Sequence, residues 1–158
     1  MVKKEDIKIL VIGIGNDLLS DEGVGIHAIR ELQKEPWPPN VTVYNGGVLG
    51  IDLLSLIQDH DKLVIVDAVN AQAEPGAVFR FRPEEVDCLL RNSKTSLHQI
   101  DIIDTIKIAR FMGKSPEIVI IGVQPKTITW GLSLSPELLE KLPRVLKLVR
   151  DEISRILE

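Results

Sequence analysis

Cysteine is nearly absent from this sequence of 158 residues, which contains only Cys88. A single thiol cannot form a disulfide framework within the chain, and it cannot build thiolate-only zinc or iron–sulfur sites, which need several sulfurs. Cys88 has no obvious base beside it and is interpreted as a packing residue. Any metal site must therefore be made from carboxylates and from the three histidines, which are His27, His60 and His98.

Long basic runs and long apolar runs are also missing. The chain has 19 Lys+Arg against 23 Asp+Glu, a formal net charge of −4, and no basic cluster longer than Lys3-Lys4. Such a chain offers no positive field to a phosphate backbone, so nucleic acid is disfavoured as its main partner. The charged N-terminus is followed by a short apolar run that resembles a strand, not a signal peptide or a membrane span. We therefore expect a cytoplasmic protein that has no membrane partner.

What the sequence does contain is an alternation of β-branched runs with amphipathic segments. Strands are predicted at 7–14, 41–44, 62–66, 77–81 and 118–122, and helices at 23–34, 51–57, 97–112 and from Ser135-Pro136 onward, where Pro143 should kink or split the helix. This alternation predicts an α/β three-layer sandwich that forms a single domain over residues 1–158. Its sheet should be twisted, five-stranded and mostly parallel, with one antiparallel edge strand and helices on both faces.

Polar and glycine-rich segments follow the predicted strands. Residues 16–22 come after the first strand, Asn45-Gly46-Gly47 after the second, and Asp67 after the third. In open α/β sheets, ligands bind outside the carboxyl ends of the strands. The sequence therefore predicts a functional site at that end of the sheet.

The pair Gly13 and Gly15 after the first strand invites comparison with a dinucleotide-binding loop. The third glycine of that fingerprint would fall on Leu18, and the acidic residue expected after the second strand is replaced by Asn45. Because the motif needs close backbone approach to the pyrophosphate, Leu18 would obstruct it. We expect no nucleotide cofactor.

Four other residues leave structural and functional interpretations open. Asp21 and Glu22 could complement the dipole of the first helix, with Asp21 as its N-cap, or face a ligand. Asp67 could cap a turn or bind a metal after its apolar strand. His98, at the predicted start of a helix, should be neutral and able to ligate a metal, or it could have no role. One histidine and two carboxylates would make an open site for a borderline divalent metal.

Five segments, taken in order, resemble the hydrogenase maturation proteases, the endopeptidases that trim the C-terminal tail from the large subunit of [NiFe] hydrogenases. They cover most of the chain between residues 7 and 143. The segments are Ile9–Gly25, Asn45–Gly50, Val64–Ala68, Ser96–Gln99, and Gly122–Pro125 together with Gly131–Ser133. Asn45 is a departure, because the family usually has aspartate before this Gly-Gly pair.

The resemblance implies that Glu22, Asp67 and His98 are the nickel ligands and that Glu22 and Asp67 are catalytic. It also implies that the nickel is supplied by the substrate, the large-subunit precursor of a [NiFe] hydrogenase, and that the protein is a peptidase. We expect a monomer. The alternative is a non-catalytic, nickel-dependent checkpoint or chaperone that binds the precursor without cutting it.

Overall fold

The computed structural model describes residues 3–48, 53–85, 97–113 and 115–158, with the side chains of the third range from residue 102 onward. Within these ranges the strands are β1 (Ile9–Ile14), β2 (Val41–Gly47), β3 (Lys62–Ala68), β4 (Val78–Phe81) and β5 (Glu117–Val123). The α-helices are α1 (Val24–Leu32), α2 (Leu53–Asp59), α3 (Leu97–Phe111) and α4 (Pro136–Leu157). Short 3₁₀ turns lie at Lys4–Asp6, Ser20–Gly23 and Pro83–Glu85.

The strands form one sheet in the order β2-β1-β3-β5-β4. The first four strands in this order are parallel, and β4 pairs antiparallel with β5 at the edge. The order reverses direction between β1 and β3, as in doubly wound sheets whose crossovers are helices. The predicted mixed sheet and its antiparallel edge strand are therefore confirmed.

Successive side chains of the central strands pack on opposite faces of the sheet. In β1, Ile9 and Val11 belong to one apolar cluster, while Leu10 and Ile12 belong to the other. The first cluster is closed by α1 and α4, and the second by α2 and α3. This period of two explains why the central strands are continuous apolar runs in the sequence, because both of their faces are buried.

Three sequence expectations need correction. Asp67 lies inside β3 and not after it, since parallel pairing with β5 continues through Asp67 and Gly122 to Ala68 and Val123. Strand β2 runs on to Gly47, because its carboxyl end still pairs with Ile14. Pro143 lies within the single helix α4 and does not split it, because the buried residues Leu138 and Val145 anchor the helix on both sides of the proline.

No helix of the described ranges is long and apolar enough to cross a membrane.

Candidate functional site

The carboxyl ends of β1, β2 and β3 meet at one edge of the sheet. Gly13 of β1 pairs with Asn45 of β2 on one side and with Val66 of β3 on the other. Just beyond β1, the backbone N–H of Gly15 donates a hydrogen bond of 2.8 Å to the carbonyl oxygen of Gly47. The glycine-rich segments and Asp67 are thus brought together as the sequence predicts.

Glycine at position 15 lets the Ser20–Gly23 turn pack directly on this edge. Gly15 has φ +139°, and a Cβ there would overlap the carbonyl oxygen of Glu22 and lie 3.8 Å from Oδ1 of Asp67. The turn also contacts β3, the strand that carries Asp67. Only glycine fits this close approach, because it has no side chain. Gly15 therefore lets the turn that carries Glu22 lie beside the Asp67 carboxylate.

A second glycine brings helix α1 close to the same strand ends. A Cβ on Gly25 would overlap the carbonyl oxygen of Val66 and would lie 2.6 Å from that of Ile14. Without this approach the first turn of α1 would stand away from the sheet, and the Ser20–Gly23 turn that precedes it would move outward with it. Gly15 and Gly25 therefore set the position of Glu22 from both sides.

The two candidate carboxylates are largely shielded from solvent. Glu22 is 7% exposed and Asp67 is 3% exposed. Oδ1 of Asp67 accepts a hydrogen bond of 2.8 Å from the backbone N–H of Ala68. Carboxylates in such surroundings are held in place by polar contacts, and their oxygens can bind a cation or exchange a proton with water.

His98, the third candidate, lies in the first turn of α3, but its side chain is outside the described residues. Among the side chains that are described, no three of His, Cys, Asp and Glu form a group that could hold a metal ion. The structure therefore brings Glu22 and Asp67 together. The complete set of metal ligands, which includes His98, stays a prediction. The two oxygen donors are compatible with a divalent metal that also binds imidazole.

Asp21 does not have the capping role that was one of its two interpretations from the sequence. It is not the N-cap of α1, because that position is taken by Gly23 without any side-chain cap. Asp21 is completely buried, and its carboxylate points to the 126–135 segment, the residues that precede α4. Oδ2 accepts hydrogen bonds from the backbone N–H groups of Lys126 and Thr127, each at 2.9 Å. Ser135 donates twice, from its backbone N–H to Oδ1 at 2.7 Å and from its hydroxyl to Oδ2 at 2.8 Å.

The pKa of Asp21 reflects this arrangement. Burial by itself would raise the pKa, but the hydrogen bonds from Ser135, Thr127 and Lys126 outweigh it and hold the pKa below the ordinary value. These bonds stabilise the charged form of the carboxyl group. Asp21 is therefore ionised at neutral pH although none of its hydrogen-bond partners in the described ranges is a cation.

Ser20 makes further bonds to the same segment. Its hydroxyl donates to the carbonyl oxygen of Thr129 at 2.8 Å, and its backbone N–H donates to that of Gly131 at 2.9 Å. The backbone of Ser20 has φ +52°, a left-handed conformation that costs a non-glycine residue about 1 kcal/mol or more. Ser20, two residues before Glu22, is therefore held in a strained conformation by its bonds to the 126–135 segment.

The 126–135 segment also exposes apolar side chains next to the site. Its alternate residues Ile128, Trp130 and Leu132 are exposed, and Trp130 is exposed to 80%. The intervening residues Thr127, Thr129 and Gly131 make the backbone bonds to Ser20 and Asp21. This alternation follows from the period of two of an extended chain, in which one side bonds and the other faces outward.

His27 lies on α1 and is half-buried, so it is less solvated than its polar neighbours in the sequence suggest. Burial lowers the pKa of His27, and the positive charge of Arg30 lowers it further, against the opposing effect of Asp17. Nε2 of His27 has no hydrogen-bond partner among the described residues. The ring is therefore neutral at pH 7.

Asn45 accepts a hydrogen bond of 3.1 Å from the backbone N–H of Gly47. The side chain thus closes the end of β2 at the point where the pairing with β1 shifts by one residue, at Gly46. Irregularities of this kind often lie beside active sites, where they redirect the chain.

A polar concavity of about 700 Å³ lies at the opposite, amino end of the sheet. It is lined by residues that precede β1, β2 and β3, among them Lys8, Asn40 and His60. His60 bonds the carbonyl oxygen of Leu56 through Nδ1 at 2.8 Å. Because ligands of such sheets bind at the carboxyl ends of the strands, Glu22 and Asp67 stay the candidate site and this concavity does not replace them.

Comparison with known proteins gives the family. The sequence model of the hydrogenase maturation proteases (HycI) matches residues 26–152, a stretch that contains Asp67 and His98 and begins just after Glu22. The chain belongs to the hydrogenase maturation protease family. Hydrogenase 2 maturation protease of Escherichia coli is 36% identical over 133 residues, which are 82% of this chain and 80% of that protein.

Two further relatives agree with this family. Hydrogenase expression/formation protein HupD of Bradyrhizobium diazoefficiens is 36% identical over 141 residues, which are 87% of this chain and 73% of that protein. The structure of the hydrogenase maturating endopeptidase HybD of Escherichia coli matches with a TM-score of 0.87 and 31% identity, covering 94% of this chain and 93% of that chain. Family membership confirms the resemblance found in the sequence, and it supports peptidase activity on a hydrogenase precursor.

Proposed function

We propose that this protein is an endopeptidase that removes the C-terminal extension from the large-subunit precursor of a [NiFe] hydrogenase after nickel insertion. Family membership supports the protease activity and the kind of substrate. The observation that carries the finer proposal is the packing of the Glu22 turn, through Gly15, against the Asp67 carboxylate. We also expect the protein to act in the cytoplasm as a monomer.

In this proposal the nickel ion is part of the substrate. Glu22, Asp67 and His98 would bind nickel that the precursor already holds, and so would test whether the metal has been inserted. Nickel accepts imidazole nitrogen well, whereas carboxylate oxygens are harder ligands, so this set would bind a free ion only moderately. Weak binding of the free ion and tight binding of the loaded precursor would make cleavage depend on nickel insertion.

Hydrolysis needs a water molecule that adds to the carbonyl carbon of the scissile peptide bond. One of the two carboxylates, Glu22 or Asp67, would accept the proton of that water and return it to the leaving amine nitrogen. The substrate's metal ion would polarise the carbonyl group or the attacking water. Burial of both carboxylates supports this role, because proton transfer and charge stabilisation are more effective where bulk water is excluded.

The exposed side chains of Ile128, Trp130 and Leu132 also support a protein substrate. They lie on the segment bonded to the residues just before Glu22. Large apolar side chains grouped beside a site provide contact area for a protein partner, and tryptophan is enriched at such contacts.

The test is an intact-mass assay of the purified precursor, loaded with nickel or metal-free, after incubation with the protein. We expect the mass of the tail to be lost from the nickel-loaded precursor only. Glu22→Gln, Asp67→Asn and His98→Ala should each lower the rate at least about a hundredfold, the usual contribution of an acid–base or electrostatic group. Glu152→Gln, at a buried carboxylate on α4, and His60→Ala, at the amino end of the sheet, are the matched controls.

Binding of the nickel-loaded precursor without any loss of mass would favour the checkpoint alternative and contradict the endopeptidase. Equal cleavage of the metal-free precursor would contradict nickel recognition. Normal cleavage by all three site variants would show that the site has been placed wrongly.

A further inference from the structure

The Ser20–Gly23 turn that carries Glu22 is held from two sides. On one side, Gly15 lets the turn pack against β3 and Asp67. On the other side, Ser20 and Asp21 are bonded to the 126–135 segment through both backbone and side-chain groups. Glu22 follows Asp21 directly in the chain, so a displacement of the Asp21 backbone displaces Glu22 as well.

We propose that Asp21 is a positioning residue for cleavage, which fixes the 126–135 segment to the Glu22 turn and thereby holds the Glu22 carboxylate in one place beside Asp67. The proposal rests on the proposed function of Glu22. Asp21 itself is fully buried, and within the described part of the chain its carboxylate bonds only to the segment, so it acts through Glu22 and does not contact the substrate.

Local helix capping does not explain these contacts. Asp21 leaves the N-cap position of α1 to Gly23, which has no side chain to cap with. Ser135 is the N-cap of α4 by position, yet its side chain makes no cap bond and its hydroxyl is donated to Asp21. Neither residue makes the local bond that aspartate and serine usually make at a helix start. Their side chains bond to each other instead and connect the Ser20–Gly23 turn to the 126–135 segment.

The strained backbone of Ser20 is a second and independent observation. A residue with φ +52° that is not glycine persists only where its surroundings impose the conformation. Gly131 lets Ser20 approach the 126–135 segment this closely, because a Cβ at position 131 would lie only 2.8 Å from the hydroxyl oxygen of Ser20. Strain of this kind next to Glu22 is the pattern expected where position is needed for chemistry.

The test measures kcat and KM separately with the nickel-loaded precursor. Asp21→Asn keeps the size of the side chain but turns an acceptor oxygen into an NH2 donor facing N–H donors. We expect kcat to fall at least about tenfold, because a shift of one ångström in a catalytic group can cost much more than that. KM should change less than about threefold, since no contact with the precursor is removed.

Two comparisons separate positioning from general destabilisation. Glu152→Gln also neutralises a buried carboxylate, far from the turn, and should leave kcat unchanged at temperatures where both variants are folded. Ser135→Ala removes one bond to Asp21 and should lower kcat, whereas Ser135→Thr keeps the hydroxyl and should restore it. Amide hydrogen exchange should speed up at Thr127 and Ser135 in Asp21→Asn and Ser135→Ala, and not in Glu152→Gln.

A folded Asp21→Asn variant with the kcat of the wild type would overturn the positioning role. If Asp21→Asn does not fold, the Ser135 pair decides, and equal kcat for Ser135→Ala and Ser135→Thr overturns it. If the wild type fails to cut any precursor, the proposed function fails, whereas the hydrogen-exchange result still reports on the contact between Asp21 and the segment.

Discussion

Asp21 and Glu152 are both buried carboxylates, but their partners differ in kind. Among the described residues, the carboxylate of Asp21 accepts hydrogen bonds from neutral donors only, three backbone N–H groups and one hydroxyl. Glu152, on α4, is bonded by the guanidinium groups of Arg80 on β4 and Arg155, the latter at 3.1 Å. The first carboxylate joins the site to a loop, and the second joins a helix to the edge strand of the sheet.

This difference in partners has a consequence for geometry. Backbone N–H groups have fixed positions, so a carboxylate that uses three of them fixes the course of the chain around it. Arginine side chains are long and adapt to small movements, and those of Arg80 and Arg155 also reach solvent. The carboxyl end of the sheet should therefore be rigid and sensitive to change, and the contact between β4 and α4 should be tolerant.

The largest loss of stability is expected from Gly25→Ala. Its Cβ would overlap the carbonyl oxygens of Val66 and Ile14, both of which are fixed in the sheet. We expect the free energy of unfolding to fall by about 3 kcal/mol, the cost of overpacking without room to relax. The control is Gly113→Ala, where a Cβ meets nothing within 4 Å and only the positive φ is strained, so about 1 kcal/mol should be lost. Equal losses in urea unfolding would contradict the close approach.

Asp21→Asn should have the next largest effect, because the NH2 group replaces an acceptor among buried N–H donors. We expect the free energy of unfolding to fall by about 2 kcal/mol, the cost of leaving a buried donor unsatisfied. Chemical denaturation at pH 7 measures this loss. A loss below about 0.5 kcal/mol would show that these bonds contribute little to stability. It would contradict the expectation that the Asp21 site is more sensitive to change than the Glu152 site.

Glu152→Gln should cost less, about 1 kcal/mol, because Arg80 and Arg155 can turn to solvent when the charge is removed. The effect should shrink in 1 M salt, since ion pairs near the surface are screened, whereas the effect of Asp21→Asn should not change. Asp151→Asn, at the exposed pair with Lys147 on the same helix, is the control and should cost less than about 0.5 kcal/mol. A salt dependence that is the same for Asp21→Asn and Glu152→Gln would contradict the distinction between their partners.

The smallest expected effect is the acid dependence of stability. The pKa of Asp21 in the folded protein is lower than its ordinary value of 3.8, which is the value expected in the unfolded chain. The carboxylate therefore contributes its full stability above that value, and the contribution is lost as the pH falls through the lower pKa of the folded state. The difference in unfolding free energy between the wild type and Asp21→Asn should decrease below pH 3.8. A difference that grows on acidification would show that the sign of the pKa shift is wrong.

Much of the fold could be predicted because it depends on local patterns. The runs that form β1, β3 and β5 are β-branched and apolar, and the segment that follows each of them contains glycine or proline. Strand ends were less predictable. The apolar run before Asp67 predicts that this residue follows its strand, because a charged residue usually ends such a run, but pairing with β5 continues to Ala68. Long-range pairing of this kind leaves no mark on the sequence around Asp67.

In the candidate site, contacts between residues far apart in the sequence are even harder to predict. Glu22 and Asp67 could be chosen as candidates from their positions after predicted strands and from the family resemblance. The role of Asp21 could not be predicted, because its partners Lys126, Thr127 and Ser135 lie more than 100 residues away along the chain. An aspartate at the start of a helix predicts a local cap, and nothing nearby in the sequence indicates that Gly23 occupies that position instead.

The most direct test of the account is the mass of a nickel-loaded large-subunit precursor after incubation with the wild type and with Glu22→Gln. We predict that the wild type shortens the precursor by its C-terminal extension and that Glu22→Gln, although folded, leaves it at full length. A precursor that stays at full length with the folded wild type, or that is shortened equally by Glu22→Gln, would contradict it.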